Sequence, residues 1–233
     1  MSLLGDELGK INWVENVNSS LLNADLLGKV DVSAHKNAVW ISQVFSAEQG
    51  NPALAFLTET AALSQQAPAL ACCCYYRSAV SASRAIVESA LYYTYFRNHQ
   101  AELATLLRDQ NFYISKSDVL DFHKIHTENF NTYQSRLNFI SSLDKWYKKV
   151  SSVTHAQVPG NLSGNLNLAD LSFDKTLFDE SISIVLEAWE IVNRLFFSTL
   201  SQDLWRVFSP DAKITLLKGM SGDTRKELCL DKK

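Results

Sequence analysis

Helix-breaking residues are scarce in this chain, with 8 glycines and 4 prolines among 233 residues. From Pro68 to Leu107 neither occurs after Pro68 itself. Alternating polar and apolar strand patterns are also missing, as are internal repeats and low-complexity tracts. These absences exclude sandwiches, barrels and solenoids and leave an all-α fold of long antiparallel helices, a multi-helix bundle.

Cysteine is sparse and unpaired in its spacing. Cys72, Cys73 and Cys74 are adjacent and Cys229 is distant, so no CxxC pair of a zinc or redox site is formed. Three consecutive residues on a helix point about 100° apart and cannot converge on one ion, so they read as packing residues. No apolar run reaches the roughly 18 residues of a membrane span. The nearest, Ile182 to Leu200, contains Glu187, Glu190 and Arg194 and reads as an amphipathic helix. Gly5, Asp6 and Glu7 occupy a start where a secretory leader would place a basic and then an apolar segment, so a cytoplasmic location is expected. Ser163 lacks the GxSxG frame, and no glycine-rich phosphate loop occurs.

Hydrophobic residues make up 46% and charged residues 20%, enough to build a core and too apolar for disorder. A formal charge of −3 excludes a uniformly basic surface, so any polyanion site must be local.

Capping signals organise the chain. Lys10 to Leu27 reads as a first helix ended by Gly28. Asp31 or Ser33 can begin a second one closed by Gly50, and Pro52 starts a third that ends near Gln66. Pro68 then begins one long helix to about Leu107. Ser115 and Asp118 have capping-box spacing before a helix to about Leu143, with another helical piece over Trp146 to Thr154. Residues 159–165 form the one extended loop, and Asp170 or Asp174 caps the last long helix. This divides the chain into an N-terminal helical extension (1–67), a bundle (68–208) and a basic tail (209–233).

Candidate chemistry begins on the long helix, where Arg77, Ser81, Arg84, Glu88 and Tyr95 fall on one side and Tyr76, Val80, Val87 and Leu91 on another. Arg84 and Glu88, four apart, form either a surface ion pair or part of an internal polar cleft. Arg77 is a candidate phosphate clamp. His123 and His126 have HxxH spacing without the further ligand a metal needs, so a solvated polar face is the expectation there and no metal is assigned. His155 closes a segment containing Tyr147, Lys148 and Lys149 and precedes the extended loop. A histidine there can transfer a proton on a phosphodiester while the lysines hold the anion, or it can simply cap the helix.

The phrase Ser83-Arg84-Ala85-Ile86-Val87-Glu88-Ser89-Ala90-Leu91, followed by Tyr147 to His155 and a loop, resembles HEPN proteins (higher eukaryotes and prokaryotes nucleotide-binding). The resemblance spans Pro68 to Leu200 and is nearest to the bacterial branches found beside phage-defence and abortive-infection genes. It implies a bundle of helices, often a homodimer, whose active members cleave RNA without metal or cofactor. Their motif is an arginine, four to six residues and a histidine, with two subunits facing one cleft. His155 matches the histidine. Lys149, five intervening residues earlier, stands where the arginine would. Lysine keeps the charge and loses the forked donor geometry. The resemblance thus implies His155 and Lys149 as catalytic residues, with Arg77, Arg84, Glu88 and Lys148 as binding residues for RNA or a nucleotide. The alternative is a noncatalytic helical module that binds a protein partner or senses a nucleotide.

Overall fold

A computed structural model describes residues 3–157, 160, 162 and 167–231. Among these residues every regular element is helical. In chain order they are α1 (Leu3–Lys10), α2 (Trp13–Leu21), α3 (Ala24–Ala47), α4 (Leu54–Cys72), α5 (Tyr76–Phe96), α6 (Gln100–Arg108), α7 (Lys116–His126), α8 (Phe130–Arg136) and α9 (Phe139–Thr154). They continue with α10 (Lys175–Thr199), α11 (Ser201–Leu204), α12 (Pro210–Leu217) and α13 (Gly222–Glu227). No helix among the described residues is long and apolar enough to cross a membrane.

The apolar positions of α5 explain its place in the fold. Val80, Val87 and Leu91 are buried as their spacing predicts, and Ala79, Ser83, Ile86, Ala90 and Thr94 bury a second face. A helix apolar on so much of its circumference must be surrounded. α10 is its counterpart. Val185 is buried as its spacing predicts, and Ile184, Ile191 and Phe197 bury the flanks of the polar side as well, leaving Glu187 and Glu190 exposed and Arg194 half-buried in a narrow strip.

Named contacts fix the helix directions. Asn51, before α4, donates to the Arg97 carbonyl after α5 at 3.1 Å, so α4 and α5 form an antiparallel hairpin. The Asp174 N–H donates to the Tyr76 hydroxyl at 2.9 Å at one end, and the Tyr93 and Phe196 rings meet at 6.3 Å at the other. The two central helices α5 and α10 therefore run parallel, which differs from a purely antiparallel bundle. The intervening α6–α9 segment carries the chain back between them. α9 runs against both, with Trp146 donating to the Ile184 carbonyl at 3.2 Å. α3 joins through Trp40, which donates to Asn193 at 2.8 Å and packs edge-on against Phe197 at 4.9 Å.

Several boundaries differ from expectation, each for a local reason. The long helix does not begin at Pro68, which lies inside α4. The break comes at Cys74, whose φ of 65° is left-handed. The N–H of Tyr75 reaches back to the Leu70 carbonyl at 2.8 Å, a Schellman-type closure usually built on glycine. The helix also stops at Phe96 before α6. Gly28 does not end a helix but lies exposed within α3, at a cost of about 1 kcal/mol against alanine. The segment expected as one helix to Leu143 divides at Asn129 and Asn138, with φ of 53° and 51°. Asparagine is the non-glycine residue best suited to that conformation. The Ser115 and Asp118 capping box and the Asp174 cap form as expected.

The residues expected as a basic tail are anchored at their described end. Leu228 and Leu230 are buried, and Trp205 donates to the Leu230 carbonyl at 3.0 Å. The division expected at 67 and 68 falls within α4, and one continuous core extends from Val30 to Leu230. The extended loop lies largely outside the described residues, Ser163 included.

Two polar groups, one largely buried and one fully buried, are held by this packing. Arg97 forms an ion pair with Glu48, with side chains 8% and 11% exposed, and also reaches Asp203 at 3.2 Å. Tyr93, whose phenol burial keeps protonated, donates to the second Glu48 oxygen at 2.7 Å. His123 corrects the solvated-face expectation, because it is 2% exposed and lies between the hydroxyls of Thr127 (2.7 Å) and Thr94 (3.0 Å). His126 alone of that pair is exposed.

Removing Arg97 strands a buried carboxylate, so Arg97→Ala should lower stability in urea by about 3–5 kcal/mol. A loss below about 1 kcal/mol would show that Glu48 is solvated. Burial, then the Arg97 and His99 charges, depress the His123 pKa from 6.5 to about 3. Between these values the unfolded chain binds the extra proton, so the stabilisation present above about pH 6.5 is lost on acidification at up to about 1.4 kcal/mol per pH unit. Denaturation of the wild type and His123→Gln at pH 7 and pH 5 should show the smaller drop in the variant. Equal drops would contradict a buried neutral imidazole.

Candidate functional site

α9 is amphipathic by construction, with Phe139, Leu143, Trp146, Val150 and Val153 buried at intervals of three and four. Fixing that stripe in the core orients the rest of the helix. Tyr147 is turned towards α5, and His155, the C-cap residue, stays exposed at the helix end.

On α5, Arg84 and Glu88 lie one turn apart, and the Arg84 Nε donates to Glu88 Oε1 at 2.9 Å. The other arms of the guanidinium reach across to α9. Nη2 donates to the Tyr147 hydroxyl at 2.8 Å, and Nη1 lies 2.9 Å from His155 Nε2. Tyr147 in turn donates to Glu88 Oε1 at 2.5 Å. Since guanidinium nitrogens only donate, His155 Nε2 must accept, which places the neutral imidazole's proton on Nδ1.

Four side chains thus form a connected cluster at the rim of the α5–α9 seam. The cluster is partly open, with the Arg84 and Glu88 side chains 20% and 39% exposed, so it is neither a free surface pair nor a closed cleft. The guanidinium carbon also lies 4.8 Å from the centroid of the Tyr147 ring, and Lys116 Nζ approaches the same ring at 5.0 Å while pairing with Asp144 at 2.5 Å. Burial works against the Arg84 charge, but the Glu88 hydrogen bond and charge outweigh it and raise its pKa. Burial followed by Glu88 raises the Tyr147 phenol, keeping it a donor.

The expected site residues separate into groups. Arg84, Glu88 and His155 come together, although 71 residues separate Arg84 from His155. Arg77 is adjacent but occupied, because its Nη2 caps the Thr154 carbonyl at the end of α9 at 3.2 Å. Lys149 turns towards α10, where it lies 3.5 Å from Glu180, so it does not share the His155 face. Lys148 is exposed and two turns before His155 on the same side of α9. Tyr147 had no role assigned from sequence. Its available signal was its position eight residues before His155, two turns away on one helix face.

Cys74 is buried, Cys72 and Cys73 are partly buried, and Cys229 is exposed; all four are free thiols. No cluster of three or more His, Cys, Asp or Glu suited to a metal occurs among the described residues. No family model matches the chain, and no curated protein or solved structure shows significant similarity to it.

Loss of the Arg84 fork breaks hydrogen bonds that are only partly shielded, so Arg84→Ala should cost about 1–2 kcal/mol in urea denaturation. In a double-mutant cycle, Arg84→Ala and Tyr147→Phe should couple by about 0.5–2 kcal/mol. Strict additivity would show that the cluster does not act as a unit.

Proposed function

We propose that the Arg84, Glu88, Tyr147 and His155 cluster is a phosphodiester site and that the chain acts as a HEPN-like, metal-independent endoribonuclease of a bacterial defence or toxin system. The observation that carries this reading is the 2.9 Å approach of Arg84 to His155. The motif expected along α9 has lysine in place of arginine, and Lys149 is engaged elsewhere. Arg84 supplies in space the forked cation that the local spacing lacks. Each of its three nitrogens makes one contact within the chain, leaving one N–H on each of Nη1 and Nη2 for a phosphate oxygen.

In the proposed reaction the RNA 2′-hydroxyl attacks the adjacent phosphorus and the 5′-oxygen leaves. The products are a 2′,3′-cyclic phosphate and a 5′-hydroxyl. One group must take the 2′ proton and another must protonate the leaving oxygen. His155 serves as one of them, and a second copy of the chain facing the same cleft provides the other. Arg84 stabilises charge on the phosphorane, with Tyr147 holding its plane. Exposed Lys148 extends the positive surface along α9 for the RNA backbone.

A noncatalytic reading is favoured by a different observation. Glu88 neutralises Arg84, and three contacts within the chain already hold it, as expected of a structural clasp that presents α9 to a protein partner.

RNA cleavage by the purified chain in EDTA separates the two readings. His155→Ala should lower the rate by about a hundredfold or more with an unchanged melting temperature, since the side chain is exposed. Arg84→Lys should lose most of the activity, and Lys149→Ala should lose little. Cleavage that survives His155→Ala or requires a divalent metal would refute the assignment. Absence of cleavage for single-stranded and structured RNA alike would leave the clasp reading.

A further inference from the structure

On the side of the bundle formed by α3 and α12, a groove of about 810 Å³ opens between one helix face and the α12–α13 turn. The face of α3 presents Asp31, Val32, His35 and Lys36, at i, i+1, i+4 and i+5. The opposite wall carries Lys213, Ile214, Lys218 and Arg225. Four permanent cations therefore meet one carboxylate in a chain whose formal charge is −3.

Among the described residues none of these four cations is paired with a carboxylate. Two are held rigid by carbonyls at the end of α12. Lys36 donates to the Lys218 carbonyl at 2.6 Å, and Arg225 donates to those of Leu217 at 2.9 Å and Met220 at 3.1 Å. Capping accounts for their positions but leaves their charge unbalanced. Lys213 lies 5.9 Å over the Trp205 ring, and Lys218 is exposed. Along the same groove Val32 and Ile214 are 53% and 70% exposed, which places two accessible aliphatic side chains beside the cations.

We propose that this groove docks an acidic amphipathic peptide segment of a partner protein, its carboxylates meeting Lys213 and Lys218 and its apolar side chains covering Val32 and Ile214. The uncompensated positive charge selects an anionic partner, and the exposed aliphatics select one with an apolar face. A peptide lying between the two walls can meet α3 on one side and Lys213, Ile214 and Lys218 on the other at once. The proposal is independent of the His155 cluster, which lies on the α5–α9 seam.

The test uses the full chain and a fluorescein-labelled peptide of about 15 residues, with Leu and Phe at i, i+3, i+4 and i+7 and Glu and Asp elsewhere. Anisotropy should show saturable binding that weakens with added salt. Lys213→Glu combined with Lys218→Glu should weaken it about tenfold, as should Ile214→Asp alone, while His155→Ala leaves it unchanged. Circular dichroism melts confirm that each variant is folded, and Lys213→Ala with Lys218→Ala provides a milder second pair. Four results would each overturn the proposal. They are no saturation, equal binding of a peptide with Lys and Arg in place of Glu and Asp, indifference to both the charge and the Ile214 changes, or binding of phosphatidylserine vesicles through these residues in place of the peptide.

Discussion

The Arg97–Glu48 ion pair is the constraint on which the arrangement of the main helices depends. Glu48 caps α3, Arg97 caps α5, Asn51 precedes α4, and Asp203 belongs to α11, so four chain segments meet at one buried pair of charges. Burying two charges gains little over an apolar substitute, but leaving either one alone is severely unfavourable. The pair therefore works chiefly as a condition on register. If α3 slides by a turn relative to α5, Glu48 and the Tyr93 hydroxyl lose their partners together. With this end fixed, α5 and α10 lie parallel at the centre and α9 is laid against both.

The same packing brings distant polar residues into contact at the rim. Arg84 meets Tyr147 and His155 only because the buried stripe from Phe139 to Val153 sets the rotation of α9 about its axis. A rotation of one residue, about 100°, would turn Tyr147 away and carry Lys148 or Trp146 towards α5. The cluster joins a cation and a carboxylate on one helix to a phenol and an imidazole on another. Glu88 holds the guanidinium in place through Nε and offsets its charge, while Nη1 and Nη2 reach across to α9.

Local signals were legible where they rest on a single side chain acting on nearby backbone. The Ser115 capping box, the Asp174 cap and the apolar stripe of α5 are of this kind, since each depends on residues within two turns. Boundaries made by unusual backbone were not. Cys74 adopts a left-handed conformation with no glycine to announce it, and Pro68 sits within a helix that tertiary packing holds despite one lost hydrogen bond. The sequence surroundings of His123 mislead for a related reason. Its polar neighbours in sequence, Asp121 and Lys124, point to solvent, while its actual partners include Thr94, 29 residues earlier.

The helical class follows from the amino-acid pattern alone, because periodicity of apolar residues and the scarcity of breakers act over one or two turns. That pattern also marks Arg84 and Glu88 as charges in need of partners, since charges set among apolar residues are costly unless paired, and His155 as a proton-transfer group or a helix cap. Which partners they have depends on how the helices pack. That packing joined Arg84 to His155, sent Lys149 to Glu180, gave Tyr147 a place between α5 and α9, and gathered four cations with the single carboxylate of Asp31 beside Val32 and Ile214. These outcomes depend on the rotation and register of whole helices, which the summed burial of many side chains sets and no single segment encodes.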